Sequence, residues 1–306
     1  MVSSMKINFE RFKASDGVEL QGWFSDVSGD VVVIHVHGMS GNGYENYFLD
    51  NLRKAYVNSK VSFFTFDNRG RGIISWFRSG SGVDAWGEGE KKGGSCYELF
   101  EESSYDIQGA IDFMRSKGKS KFILQGHSLG STKVVNYLLN NSTDDILAAI
   151  LLAPTDMVGW ARTDSNYQKY LDKAHRLVAQ GKPEELVSAS CWLDKTPLSA
   201  QTYPTICERN TPVDIYSPRE DGALICKVAV PMVIIYGDKD IGIEQIDGDI
   251  TTWKTRASKV INSKTKIEII PGADHGFAGH EAKLAKISGN FVNVFLTRHN
   301  QSRNKD

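Results

Sequence analysis

Six apolar runs of strand length constrain this chain more than any other feature. They read "VVVIHVH" (31–37), "VSFFTF" (61–66), "KFILQG" (121–126), "LAAILLA" (147–153), "VPMVIIYG" (230–237) and "KIEII" (266–270). A half-exposed strand alternates apolar and polar residues. Runs that stay apolar are expected of strands covered on both faces, as in a parallel sheet. Helical patterns fall between them. In 103–118, Ile107, Ala110, Ile111 and Met114 form one stripe, with a serine ahead to cap it and Gly118 behind. Further helical stretches are expected over 131–141, 249–262 and 280–296. Regular alternation of strand and helix predicts an α/β protein with a doubly wound, mostly parallel sheet and right-handed crossovers. Segments 6–13 and 18–25 do alternate, on either side of "SDG", and predict an antiparallel hairpin at a sheet edge.

Two stretches break the alternation. Residues 73–100 are glycine-rich with interspersed aromatics, too long for a plain connection, and read as a functional surface loop. Residues 156–225 open with an amphipathic helix carrying Tyr167, Tyr170, Leu171, Ala174, Leu177 and Val178, then hold five of the eight prolines. This segment is expected to be a helical lid inserted into a core formed by 1–155 and 226–306.

Lys and Arg number 36 against 37 Asp and Glu, and a formal charge of -1 gives no electrostatic reason for nucleic acid or an anionic membrane surface as partner. The four cysteines are far apart, with no CxxC pair and no histidine at metal-ligand spacing, and read as reduced thiols. The first 17 residues lack the apolar centre of a signal peptide, and no apolar run approaches the roughly 18 residues of a membrane span. A cytoplasmic protein without metal or cofactor is the expectation.

The chemistry centres on "KFILQGHSLGSTKVV" (121–135). A GxSxG match alone is weak, since chance would supply on the order of 0.2 in such a chain. Here it ends a buried strand and opens a helix pattern. Ser128 would then sit on a sharp turn at the carboxyl end of the sheet, where open α/β sheets hold their ligands. With these motifs the chain resembles the serine hydrolases of the α/β-hydrolase fold over nearly its whole length outside the insertion. The resemblance implies Ser128 as nucleophile, followed in chain order by an acid and then a histidine. His275, in "PGADHGF" after the last strand, fits the base; His280 opens the final helix and His299 lies in the tail. For the acid, the loop "YGDKDIGI" offers Asp238 and Asp240. Asp240 is favoured by likeness to similar GDxD segments, with Asp238 tying the loop and Asp274 capping its own.

"VIHVHGMSGNGYENYF" is similar to the family's His-Gly-X oxyanion loop, so the backbone N–H groups of Met39 and Leu129 would face the developing negative charge. His35 and His37 share a strand face and could chelate zinc. The downstream Asp-His of common metallohydrolases is missing, so a structural role for His37 beneath the loop is preferred. In "FDNRGRG" (66–72), Arg69 and Arg71 read as loop-ordering. Trp76, Trp160, Tyr167 and Trp192 are candidate substrate-binding aromatics. "GGSCYELFEESSYDIQGAIDF" with "HGMSGN" resembles lidded hydrolases of the esterase and serine aminopeptidase kinds. The implied substrate is a small acyl ester, thioester or amide. An acyltransferase or cyclising thioesterase would use the same residues, and a receptor for a small ligand is the alternative outside enzymes.

Overall fold

The computed structural model describes residues 6–80, 89–192, 196–220, 222–259 and 261–303. All six apolar runs are strands of one eight-stranded sheet. In chain order the elements begin with β1 (Asn8–Lys13), β2 (Glu19–Ser25), β3 (Val31–Val36), α1 (Phe48–Asn58) and β4 (Ser62–Asp67). A hairpin of β5 (Ser75–Arg78) and β6 (Glu90–Gly93) follows, then α2 (Ser103–Ser116), β7 (Lys121–His127), α3 (Leu129–Asn140) and β8 (Ile146–Leu152). After an insertion carrying α4 (Met157–Ala161), α5 (Tyr167–Ala179), β9 (Leu186–Trp192), β10 (Thr196–Ser199) and α6 (Thr202–Cys207), the chain returns as β11 (Met232–Gly237). It closes with α7 (Ile241–Asp247), α8 (Ile250–Ala257), β12 (Thr265–Ile270) and α9 (Glu281–Arg303).

The strand order is β1-β2-β4-β3-β7-β8-β11-β12. β2 pairs antiparallel with β1 and β4, and the remaining neighbours are parallel. The central strands β3, β4 and β11 are buried at every position, which is why their sequences carry no alternation. Alternation survives in which face each side chain meets. On β4, Phe63 packs toward Tyr56 of α1, while Phe64 meets Phe113 of α2. Helix α1 lies along α9, and α2 along α3.

Three details depart from the sequence reading. Helix α1 was not marked by the helical patterns; it starts at Tyr47 without a side-chain cap, and its signal is the buried stripe Phe48, Leu49, Leu52, Tyr56 and Val57. The serine expected to cap α2 does not do so. A 3-10 turn, Phe100–Glu102, runs straight into the helix, and Ser103 Oγ donates back to Phe100 O at 2.6 Å. The insertion is not purely helical, because β9 and β10 pair antiparallel within it. It has its own apolar cluster, from Met157 to Val213, joined by Phe100 and Leu129 of the sheet unit. Ile215, Tyr216 and Ile225 already pack on the main core. Among the described residues no helix is long and apolar enough to cross a membrane.

Candidate active site

The turn from β7 into α3 holds Ser128 at φ 55 and ψ -127. A non-glycine residue in such a region costs on the order of 1–3 kcal/mol and persists only where its surroundings enforce it. The surroundings here are backbone. Ser128 N–H donates to Leu152 O at 2.9 Å, and a Cβ on Gly130 would lie 2.1 Å from Val36 O. Only glycine lets α3 approach the end of β3 this closely. Gly38 serves the same purpose on the other side, where a Cβ would come 2.8 Å from Ser128 Cβ. The 38–39 peptide therefore lies against the serine.

Leu129 N–H is the first of α3 and has no acceptor within the helix. Met39 follows Gly38 in a loop fixed from several directions. Ser40, at φ 56, shares a hydrogen bond of 2.6 Å between its Oγ and Ser95 Oγ. Beneath the loop, His37 Nδ1–H donates to Gly38 O at 2.8 Å, and His37 Nε2 accepts from Asn68 N–H at 3.0 Å. Burial, then the nearby Lys133 charge, pushes the His37 pKa down to about 3, so the ring is neutral in this role. Both its nitrogens are used. His35 Nδ1 accepts from Gln125 Nε2 at 2.7 Å, and among the described residues no group of three or more His, Cys, Asp or Glu is arranged to hold a metal ion.

Asp240 and His275 meet. His275 Nδ1–H donates to Asp240 Oδ2 at 2.8 Å, which leaves Nε2 as the basic nitrogen. Asp240 is held as well, since its Oδ1 accepts from Gly242 N–H at 2.8 Å and caps α7. The carboxylate is buried while the imidazole is part-exposed. Asp238 points elsewhere and accepts from Gly272 N–H at 2.7 Å; Asp274 accepts from Ala278 N–H at 2.9 Å. Both stitch loops.

Two contacts at the site were not readable from sequence. Ser128 Oγ shares a hydrogen bond of 3.2 Å with Thr155 Oγ1, and among the described residues no hydrogen bond joins Ser128 to His275. Thr155 follows the end of β8, at the strand ends where ligand sites gather, and that position was the only available signal. His127 Nε2–H donates to the carbonyl oxygen of His275 at 2.9 Å, with the two rings 5.1 Å apart. Burial, then the neighbouring His275, pushes the His127 pKa down to about 4.

The candidate substrate aromatics separate. Trp160 stands edge-on to His275 at 6.4 Å. Tyr167 belongs to the insertion, its hydroxyl donating to Cys207 O at 3.3 Å. Trp76 is exposed and lines a different cleft of about 220 Å3, beside Arg11, Gln21 and Arg71. The Trp192 side chain lies outside the described residues. Arg69 is buried, donating to Asp106 at 3.0 and 2.7 Å and to Glu102 at 2.8 Å, which anchors the loop after β4 to α2. Arg71 bonds Asp67 at 3.2 Å.

The sheet order, with a strained serine at the turn after β7, defines an α/β-hydrolase fold. Solved structures agree. Est1E from Butyrivibrio proteoclasticus, in a structure with ferulic acid bound, is 17% identical, covering 94% of this chain and 99% of its own, with a TM-score of 0.65. The alpha/beta hydrolase GrgF from Penicillium sp. sh18 is 14% identical, covering 96% and 99%, with a TM-score of 0.66. The Pyrococcus furiosus esterase PF2001 is 16% identical, covering 96% and 92%, with a TM-score of 0.60. No curated protein is detectably similar in sequence. The chain belongs to the family described as "Protein of unknown function (DUF1749)", which matches residues 83–296.

Proposed function

We propose that this protein is a serine hydrolase acting on a small acyl ester through an acyl-enzyme on Ser128. The observation that carries the reading is the 2.8 Å bond from His275 Nδ1–H to buried Asp240, in a loop tied by His127 beside a strained Ser128. A serine hydroxyl is a poor nucleophile until a base takes its proton. With Nδ1–H committed to Asp240, Nε2 of His275 is the atom that can do so. Ser128 Oγ leaves Thr155, attacks the acyl carbonyl carbon and gives its proton to His275. The carbonyl electron pair moves to oxygen, where the N–H groups of Met39 and Leu129 receive the charge. Losing one such donor typically costs about 3 kcal/mol of transition-state stabilisation. The tetrahedral adduct then collapses, and the leaving alcohol takes the proton from His275. Water repeats the cycle and frees the acid.

The insertion acts as a lid, with Trp160 reaching the base. One of these structural neighbours, PF2001, is an esterase by name, and Est1E is described with ferulic acid bound, so short alkyl and aryl esters are the substrates to try first. A fluorophosphonate probe and a p-nitrophenyl ester panel test the reading. Labelling and turnover should both vanish in Ser128→Ala; either one persisting in that variant would overturn it.

A further inference from the structure

Both ends of the insertion meet the sheet unit at one side chain, Arg256 of α8. On the entry side its Nη1–H donates to Asp156 Oδ2 at 2.9 Å, while Asp156 Oδ1 accepts from Gly159 N–H at 2.8 Å and so caps α4. On the exit side its guanidinium carbon lies 5.8 Å from the centre of the Tyr216 ring, and the Tyr216 hydroxyl shares a hydrogen bond of 3.3 Å with that of Tyr236. Tyr236 in turn donates to Pro154 O, back at the entry. The rest of the fork goes to α7, where Nε and Nη2 donate to Asp247 Oδ1 and Oδ2 at 2.7 and 2.8 Å. Asp240 caps that same helix, so Arg256 joins the start of the insertion to the helix that begins at the partner of His275.

A second tie runs beside the first. Trp160 of α4 donates its indole Nε1–H to Gln245 Oε1 of α7. Gly242 lies between the indole and the carboxylate, since a Cβ there would come 3.6 Å from the Trp160 ring and 3.2 Å from Asp240 Oδ1. The ring is 7% exposed and stands edge-on to His275 at 6.4 Å. The gap among Thr155, Asp156, Asp240, Asp247 and Arg256 measures only about 10 Å3, roughly the space of one water, so these groups make a joint and not a ligand pocket. Ion pairs out of water add little net stability over apolar residues of similar volume. A planar fork spanning two carboxylates fixes geometry instead.

What that geometry holds in place follows from the reaction, and here the inference rests on the reading of Ser128 as nucleophile and His275 as base. His275 hands its proton to the leaving alcohol, so the alcohol must lie beside that ring. Trp160 is the ring's neighbour there.

We propose that Trp160 is the wall of the leaving-alcohol site and that Arg256, through Asp156 and Asp247, is the positioning residue that holds the wall in place. The joint then sets the size of alcohol accepted: small or flat alcohols fit, and bulky ones meet the indole. The acyl group lies on the other side of the carbonyl and is not read by this joint.

The test compares kcat/KM over two ester series, one varying the alcohol (ethyl, benzyl and 1-adamantylmethyl butyrate) and one varying the acyl chain (ethyl acetate, butyrate and octanoate). Discrimination by size in an apolar pocket is worth on the order of 10- to 200-fold, and the parent should prefer ethyl to adamantylmethyl butyrate within that range. Asp156→Asn keeps an acceptor for Gly159 and presents an amide to Arg256, so it cuts the tie without uncapping α4. It should narrow the alcohol preference about tenfold and leave the acyl preference within about twofold. Arg256→Lys keeps the charge and loses the fork, so it should fall between that variant and the parent, and Trp160→Ala should remove most of the preference. A purely structural joint would lower Tm and slow every ester alike. A readout independent of turnover comes from 19F NMR of the chain labelled with 5-fluorotryptophan, the Trp160 signal being the one lost in Trp160→Phe. That signal should shift or broaden in Asp156→Asn and in Gln245→Met, and folded spectra show which variants to read. Ser128-dependent turnover with unchanged alcohol ratios, equal losses across both series, or a Trp160 signal unmoved in the folded variants would overturn this proposal alone. Turnover that survives Ser128→Ala, or a parent that cleaves no ester, would overturn the reading beneath it and this proposal with it.

Discussion

His127 gives its Nε2–H to the carbonyl oxygen of His275 at 2.9 Å, so the residue before Ser128 holds the loop that carries His275. Its ring also packs edge-on against Phe48 at 5.1 Å and near Phe277, which occupies a strained φ of 56. Replacing His127 with Phe keeps the packing and removes the donor. The expected result is a fall in kcat of roughly 10- to 100-fold with KM much less affected, because misplacing a catalytic group by about an ångström costs on that order. His127→Gln, which retains an N–H donor, should recover part of the loss. A KM change without a kcat change would show that the contact serves only substrate binding.

The same burial makes stability depend on pH. His127 is pushed down to about 4 and His37 to about 3, whereas both sit near 6.5 in the unfolded chain. Between these values the unfolded state binds more protons, so the stabilisation is complete above pH 6.5 and disappears as the pH falls toward the folded values. At about 1.4 kcal/mol per pH unit, His127 alone contributes on the order of 3 kcal/mol that is absent by pH 4. Thermal melts across this window should show Tm falling steeply on acidification, and His127→Phe should flatten the slope. An unchanged slope in that variant would assign the acid sensitivity to other groups.

Asp240 and Asp238 should separate cleanly. Asp240→Asn would present an amide to His275 Nδ1 and disturb its tautomer, with a loss of about 10^4 in kcat, the scale seen when a triad acid becomes its amide. The Asp238 carboxylate accepts from Gly272 N–H and is not bonded to His275 among the described residues, so Asp238→Asn should lower Tm modestly and leave kcat within about tenfold. Steady-state ester kinetics on the two variants decides the assignment, and equal losses would contradict it.

How far the site could be read from the sequence follows from how local each part is. The order of Ser128, Asp240 and His275 lies along the chain, on the ends of strands whose apolar runs announce themselves. Asp240 could be separated from Asp238 only by likeness, because the difference is set by a cap on α7 and by a partner in another loop. Helix α1 escaped notice because Tyr47 offers no capping side chain. The hairpin β9–β10 has an irregular register, which blurs any period of two. Thr155 offered no signal beyond its place after β8, since its contact with Ser128 depends on β7 and β8 being neighbours.

Thr155 supplies a test of the resting state. Its bond to Ser128 Oγ competes with transfer of the hydroxyl proton to His275. Thr155→Val keeps the shape and removes that competitor. A neutral hydrogen bond is worth about 0.5–1.5 kcal/mol, so fluorophosphonate labelling should accelerate by roughly 2- to 10-fold. A slower reaction would mean that the threonine hydroxyl helps at the transition state.

Behind the loop that carries Met39, Lys133 and Glu98 form an ion pair at 2.5 Å with both side chains fully buried. Lys133 Nζ also donates to Asn68 Oδ1 at 3.1 Å, and Asn68 in turn donates to His37 at Nε2 through its backbone and at the carbonyl through its side chain. The charge pair thus sits two hydrogen bonds from His37 and three from Gly38. Removing one member leaves the other charged and unpaired in the core, so Lys133→Met should cost about 3–5 kcal/mol. A buried pair contributes little net stability over apolar residues of similar volume, so Lys133→Met combined with Glu98→Leu should regain much of that loss. Stability alone would make the pair replaceable. The network predicts otherwise for activity: the double variant should melt near the parent yet keep a reduced kcat, because Asn68 has lost the ammonium that orients it under His37. Chemical denaturation beside ester kinetics measures both, and full recovery of kcat would reduce the pair to packing.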